Sequence, residues 1–280
     1  MRKSIALPLA TALLLAACGR VEPQVGIGPE PGPKPFVFGV VEEFYSNALD
    51  EPRTLNIYLP DGYADSTLAY PVVYVLDGSY NEDYPHIAGL MQFMNMYELH
   101  PKSIVVGIAN VDRRRDFSFP TRVDSDRVAY PTTGGSARFI QFMEQELQPY
   151  IHKHYRVQGD RTIIGQSLGG LLAAEILVTK PQLFDNYVIV SPSLWWDSGS
   201  IIARTDSFLT ASGDLPKRVY ISIGTEGDDM QVFMDQYLAA FKQHARPPMQ
   251  WWYVPMKDES HATILHRGVY RAFELLNGKE

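Results

Sequence analysis

The sequence has a single cysteine, Cys18, in 280 residues, so no intrachain disulfide can form. It also lacks a sustained basic run. Its 25 Lys and Arg face 32 Asp and Glu, a net charge of −7, and an acidic chain of this kind is a poor partner for nucleic acid. The one local exception is Asp112–Asp116, "DRRRD", whose arginines are flanked by acids. No internal repeat occurs, and no shift in composition after residue 36 marks a second domain. The only long apolar run, "IALPLATALLLAA" after Arg2 and Lys3, is shorter than a membrane span requires and has the form of an export signal.

That run ends in "LAAC", Leu15 to Cys18. Small residues before a cysteine form a bacterial lipobox, in which the cysteine becomes the lipidated first residue. The plainer alternative is a cleaved signal peptide beside a chance cysteine. Removal of Arg2 and Lys3 leaves 23 basic against 32 acidic residues, a net charge of −9. Residues 19–35 hold five prolines and four glycines, a composition that extends as a tether and does not pack. The organisation expected is therefore a signal peptide over 1–17, a lipidated Cys18 with a Pro/Gly-rich tether over 18–35, and one folded domain over 36–280. One lipid-modified terminus anchors a protein to a membrane without spanning it. Gly19 after the cysteine, in place of an aspartate, favours the outer membrane and a periplasm-facing envelope lipoprotein.

What is present is a globular core. The chain is 45% hydrophobic with 16 Tyr, 13 Phe and 4 Trp, too aromatic for a disordered protein. Residues 36–59 suggest two antiparallel strands. In "RTLNIYLP", Leu55, Ile57 and Leu59 alternate against Thr54, Asn56 and Tyr58. Six nearly continuous runs of β-formers follow at 71–77, 103–109, 161–165, 186–191, 218–224 and 250–255, as strands covered on both faces read. Helical spacing fills the intervals at 86–99, 135–151, 168–179, 198–210, 230–244 and 262–276. This alternation predicts an α/β fold with a mostly parallel sheet, helices on both faces and antiparallel N-terminal strands.

Within it, "RTIIGQSLGGLLAAEIL" (161–177) changes from a buried strand to a helix at Gly165-Gln166-Ser167-Leu168-Gly169. This fits G-x-S-x-G in the strand–turn–helix context the motif requires. The tight turn exposes the serine oxygen beside a helix N-terminus, where negative charge is favoured. Side chains at 165 or 169 are expected to clash with neighbouring backbone. A helix N-cap serine is the alternative.

A serine hydroxyl needs a base to act as a nucleophile. Three histidines follow Ser167, and of His244, His261 and His266 only His261 lies in a loop after the last strand. The acid is expected in "GTEGDDM" (224–230), with Glu226 first and Asp228 or Asp229 as alternatives that could instead cap the next helix. Asp258 and Glu259 are further candidates, and a serine–histidine dyad stays open. Two amides should hold an oxyanion: that of Leu168, and that of Gly78 or Ser79 after "VVYVLD".

Several segments resemble one family: "PVVYVLDG", "VVGIANVDRRRDFSFP", "GGSARFIQFMEQELQPYIHKHYRV", "RTIIGQSLGG" and "FDNYVIVSPSLWWD". They are similar to the Putative esterase family of α/β-hydrolases, which includes esterase D-like enzymes, siderophore esterases and mycolyltransferases. The siderophore-esterase branch looks nearest. The resemblance spans nearly all of 36–276. It implies an α/β-hydrolase fold and a carboxylic ester hydrolase that needs no metal or organic cofactor. Ser167 would be the nucleophile, His261 the base and Glu226 the acid, with an acyl-enzyme released by water. Trp195 and Trp196 could stack on the substrate, and the arginines 113–115, Arg114 among them, could meet an anionic or catecholate-like group. The structural alternatives are core tryptophans and arginines paired with Asp112 or Asp116. Two other functions fit the same residues: acyl transfer to an alcohol or sugar, and a non-catalytic lipoprotein that binds a siderophore or glycan. The partner expected is a small-molecule ester. Oligomeric state and natural substrate stay open.

Overall fold

The computed structural model describes residues 32–278. The expected signal peptide, Cys18 and most of the tether lie outside the described residues. The chain divides into two units, 1–36 and 37–280. Of the first, only 32–36 are described, and they form no regular secondary structure. In the second, eight strands form one sheet in the order β1-β2-β4-β3-β5-β6-β7-β8. The strands are β1 (Val40–Ser46), β2 (Glu51–Tyr58), β3 (Tyr70–Val75), β4 (Ile104–Ile108), β5 (Val157–Gln166), β6 (Asn186–Val190), β7 (Arg218–Ile223) and β8 (Gln250–Pro255). The pairs β1·β2 and β2·β4 are antiparallel; every other pair is parallel.

The helices are α1 (Tyr84–Met96), α2 (Arg113–Asp116), α3 (Asp124–Ala129), α4 (Ser136–Phe142), α5 (Gln148–His154), α6 (Leu168–Thr179), α7 (Ser200–Ser212), α8 (Asp228–His244) and α9 (Ile264–Leu276). The two-residue period of the strands sorts the core into two layers. Val72, Tyr74, Ile163, Tyr187 and Ile189 pack with α4 to α8. Val73, Val75, Ile164, Val188 and Val190 pack with α1 and α9. α9 has one buried stripe, Leu265, Val269, Ala272, Phe273 and Leu276, against exposed His266 and Arg267. α6 is buried without interruption from Leu168 to Leu177, as a helix at the centre of the layer must be.

Three features differ from expectation. The polar face of β2 is also covered: Asn56 and Tyr58 are buried, because β2 lies between β1 and β4 and Tyr58 meets the α1/α9 layer. The helix expected over 135–151 carries a π-turn at Met143–Leu147. It precedes Pro149, which has no N–H to continue the α-helical ladder. Finally, β4 and α4 are joined through α2 and α3, too short for periodicity to reveal. Among the described residues no helix is long and apolar enough to cross a membrane.

Candidate active site

β5 carries the chain straight into Ser167, whose backbone stands at φ 59°, ψ −120°. A non-glycine residue there costs about 1–3 kcal/mol and persists only where its surroundings enforce it. They do. The Ser167 N–H donates to the Val190 carbonyl (3.1 Å), and the Ser167 carbonyl accepts from Ser193 (3.0 Å) and Leu171 (2.9 Å). A Cβ on Gly165 would lie 2.3 Å from the Gly169 carbonyl oxygen. The expectation for Gly169 is corrected: its Cβ would meet Asp77 Oδ2 and the Leu76 Cβ at an ordinary 3.4 Å. The second tight position is Gly170, where a Cβ would come within 3.0 Å of Pro192 Cα and the Val190 oxygen. The glycines therefore let the β6–α7 loop press against the elbow.

His261 lies in the loop between β8 and α9. Its Nδ1 is 2.8 Å from Glu226 Oε2, in the loop after β7. The Gln166 side-chain amide donates to the His261 carbonyl, which ties this loop to the residue before Ser167. Glu226 also accepts from the Ser191 hydroxyl and, at 3.2 Å, from the Gly224 N–H. Burial would raise its pKa, but hydrogen bonds from His261 and then Ser191, with the charge of His261 and the Gly224 amide, hold the carboxyl below its ordinary value. With Nδ1 engaged, Nε2 is the imidazole atom left for the elbow. The Ser167 hydroxyl is bonded to neither nitrogen; it pairs with Ser193 Oγ at 3.3 Å.

The other candidates lie elsewhere. Asp228 and Asp229 occupy the first turn of α8, where the helix dipole favours them. Glu259 pairs with Arg267 at 2.6 Å. His244 Nε2 meets Asp206 at 3.2 Å, and His266 stacks edge-on against His86.

Leu168 is the first residue of α6, so its N–H has no intrahelical acceptor. Of the pair 78 and 79, Gly78 is excluded as an oxyanion donor. Its amide donates to the Ile108 carbonyl at 3.0 Å, and a Cβ there would lie 2.3 Å from Ile108 N. The Ser79 amide instead donates to a side-chain carboxylate, Glu82 Oε2, at 3.2 Å.

Ser167, Leu168 and Ser193 open onto a cleft of about 610 Å³ whose wall includes Arg114, Tyr130 and Trp195. The three arginines of "DRRRD" diverge. Arg113 forks onto Asp77 (2.5 and 2.9 Å) and reaches the Gln166 carbonyl. Arg115 pairs with Asp116 and Glu51. Arg114 makes no ion pair among the described residues and lies 4.9 Å over the Tyr130 ring. The tryptophans diverge too. Trp195 is half-buried on the cleft, whereas Trp196 is 1% exposed and gives its indole N–H to the Phe119 carbonyl at 2.8 Å. Trp196 is thus core, which corrects its expected place against a ligand. The two residues that follow it, Asp197 and Ser198, are left-handed and kink the chain there.

Sequence reading missed Asp77, Asn110, Ser191 and Ser193. Asn110 donates to Asp77 (2.7 Å) and Glu82 (3.0 Å), bracing the loop that carries Ser79. The two serines of "SPS" follow β6 directly, and that position beside the elbow was the only available signal.

A family model described as "Putative esterase" matches residues 46–262. Ferri-bacillibactin esterase BesA of Bacillus subtilis is 31% identical over 201 residues, 64% of this chain and 68% of that protein. A siderophore triacetylfusarinine C esterase of Aspergillus fumigatus is 27% identical over 241 residues, 79% of each chain. The crystal structure of an IroE-like serine hydrolase from Shewanella oneidensis matches with a TM-score of 0.79 and 30% identity, over 85% of this chain and 79% of that one. The fold is that of an α/β-hydrolase, the chain is a carboxylic ester hydrolase, and it belongs to the Putative esterase family.

Proposed function

We infer that this protein hydrolyses siderophore-type esters by a serine mechanism. The observation that supports the reading is a strained elbow at Ser167 whose preceding residue, Gln166, bonds the carbonyl of His261, an imidazole already paired with Glu226. His261 Nε2 takes the Ser167 proton as Oγ attacks the ester carbonyl. The carbonyl pair moves to oxygen, where the Leu168 and Ser79 amides receive it, with Ser79 leaving Glu82 to do so. Collapse expels the alcohol with the imidazolium proton, and water activated by His261 releases the acid.

The substrate class is supported by the cleft and by the relatives. Among the described residues no carboxylate neutralises Arg114, and Tyr130 and Trp195 give flat surfaces beside it. An anionic aromatic group such as a catecholate satisfies both. Two relatives are named as siderophore esterases. The N-terminal lipobox favours an envelope lipoprotein anchored through Cys18.

The test is turnover of a trilactone siderophore, a feruloyl ester and p-nitrophenyl acetate by wild type and Ser167→Ala, with fluorophosphonate labelling. The expected result is a single adduct on Ser167, hydrolysis preferring the catecholate ester, and loss of turnover in the variant by a factor on the order of 10³ or more. An unlabelled wild type, or activity surviving Ser167→Ala, sinks the mechanism. A preference for the neutral ester sinks the substrate class.

A further inference from the structure

Ser193 belongs to a motif that the reaction above leaves unused. The residue is 3% exposed, and its amide is fixed on the Ser167 carbonyl at 3.0 Å. Among the described residues its hydroxyl has one hydrogen-bond partner, Ser167 Oγ, at 3.3 Å. Either oxygen can supply the hydrogen of that bond. Once Ser167 directs its own hydrogen to the imidazole, only Ser193 can donate, and Ser167 Oγ accepts.

We propose that the Ser193 hydroxyl is a catalytic donor to Ser167 Oγ that speeds release of the acyl group. The inference rests on Ser167 being the nucleophile. In the free enzyme Oγ is a hydroxyl oxygen and already accepts from Ser193, so the bond adds little to the attack step. In the acyl-enzyme Oγ is the alkoxy oxygen of a conjugated ester and a poor acceptor. During deacylation, water gives its proton to His261 Nε2 and its oxygen bonds to the carbonyl carbon. The C–Oγ bond then breaks, its electron pair returns to Oγ, and the imidazolium proton follows. The bond from Ser193 is regained as that pair arrives, so it favours this transition state over its ground state.

The test is pre-steady-state hydrolysis of a p-nitrophenyl ester by Ser193→Ala and Ser193→Thr, with intact mass and Tm recorded. For Ser193→Ala, kcat should fall about tenfold, the worth of one hydrogen bond to an oxygen gaining charge. KM should fall in parallel, so that kcat/KM stays within about threefold of wild type. The acyl adduct that follows the nitrophenol burst should decay about tenfold more slowly in Ser193→Ala than in wild type, and Ser193→Thr, which keeps a hydroxyl, should restore the wild-type decay. A purely structural serine would lower kcat/KM and Tm together without slowing decay of the adduct; that pattern, or an unchanged kcat, overturns the proposal. Absence of a fluorophosphonate adduct on Ser167 in the wild type would mark failure of the serine mechanism itself, separately from the role of Ser193.

Discussion

Glu226 concentrates the residue-scale chemistry. It is 4% exposed at the side chain and accepts from an imidazole, a hydroxyl and a backbone amide, so its carboxylate is both buried and fully served. Glu226→Gln keeps the volume and removes the charge that orients His261. Activity at pH 7 should fall by a factor on the order of 10²–10⁴ with KM little changed, as steady-state kinetics will read. The same variant has a pH signature. The folded-state pKa lies below the ordinary value of 4.5, so the carboxylate's contribution to stability is present above 4.5 and disappears as pH falls through the depressed pKa. The Tm deficit of Glu226→Gln should therefore be full at pH 7 and shrink towards pH 3. A second residue separates binding from chemistry. Arg114→Gln should raise KM for a catecholate ester about tenfold and leave p-nitrophenyl acetate turnover unchanged, because its guanidinium touches the cleft and not the elbow. At this scale, sequence order put Glu226 and His261 forward as a pair, and their side chains meet at 2.8 Å. It could not separate Trp195 from Trp196 or Arg114 from its neighbours, since distant partners decide which way each points.

At the scale of elements, β5, the elbow and α6 were readable from sequence because a buried strand, tight glycines and a small-residue helix all demand the same turn. The β6–α7 loop was not. Its role arises from proximity to the elbow, which Gly170 permits and no periodicity encodes. The start of α1 offers a test of how such loops are balanced. Asp83 is the N-cap residue but makes no side-chain cap. Burial, with Asp77 and Glu82 nearby, pushes its carboxyl up to about 7 against an ordinary 3.8, and Arg113 offsets this only in part. Between those two values the folded chain holds a proton that the unfolded chain has lost, so stability declines as pH rises across that window. Asp83→Asn removes the titration without removing a cap. Its Tm should match wild type near pH 4 and exceed it by about 2–4 °C at pH 8, measured by calorimetry in matched buffers.

For the molecule as a whole, fold class could be read because the strands are apolar on both faces and alternate with helices, and a parallel sheet is the arrangement that satisfies both facts. The order of the sheet was not readable. That β2 pairs with β4 while β3 lies inside is a matter of which crossovers close, not of composition. Both core layers and every residue of the candidate site belong to the unit 37–280, whereas the proline-rich stretch before it offers little to bury. Deleting residues 1–35, whose Pro/Gly-rich end is a tether by composition, should therefore leave kcat and KM for a soluble ester unchanged and shift Tm by no more than about 2 °C. The full-length chain should partition with membranes through Cys18 and the truncated one should stay in the soluble fraction. Loss of activity on truncation would mean that the leading segment takes part in the fold, and the boundary near Phe36 would have to move towards the N-terminus.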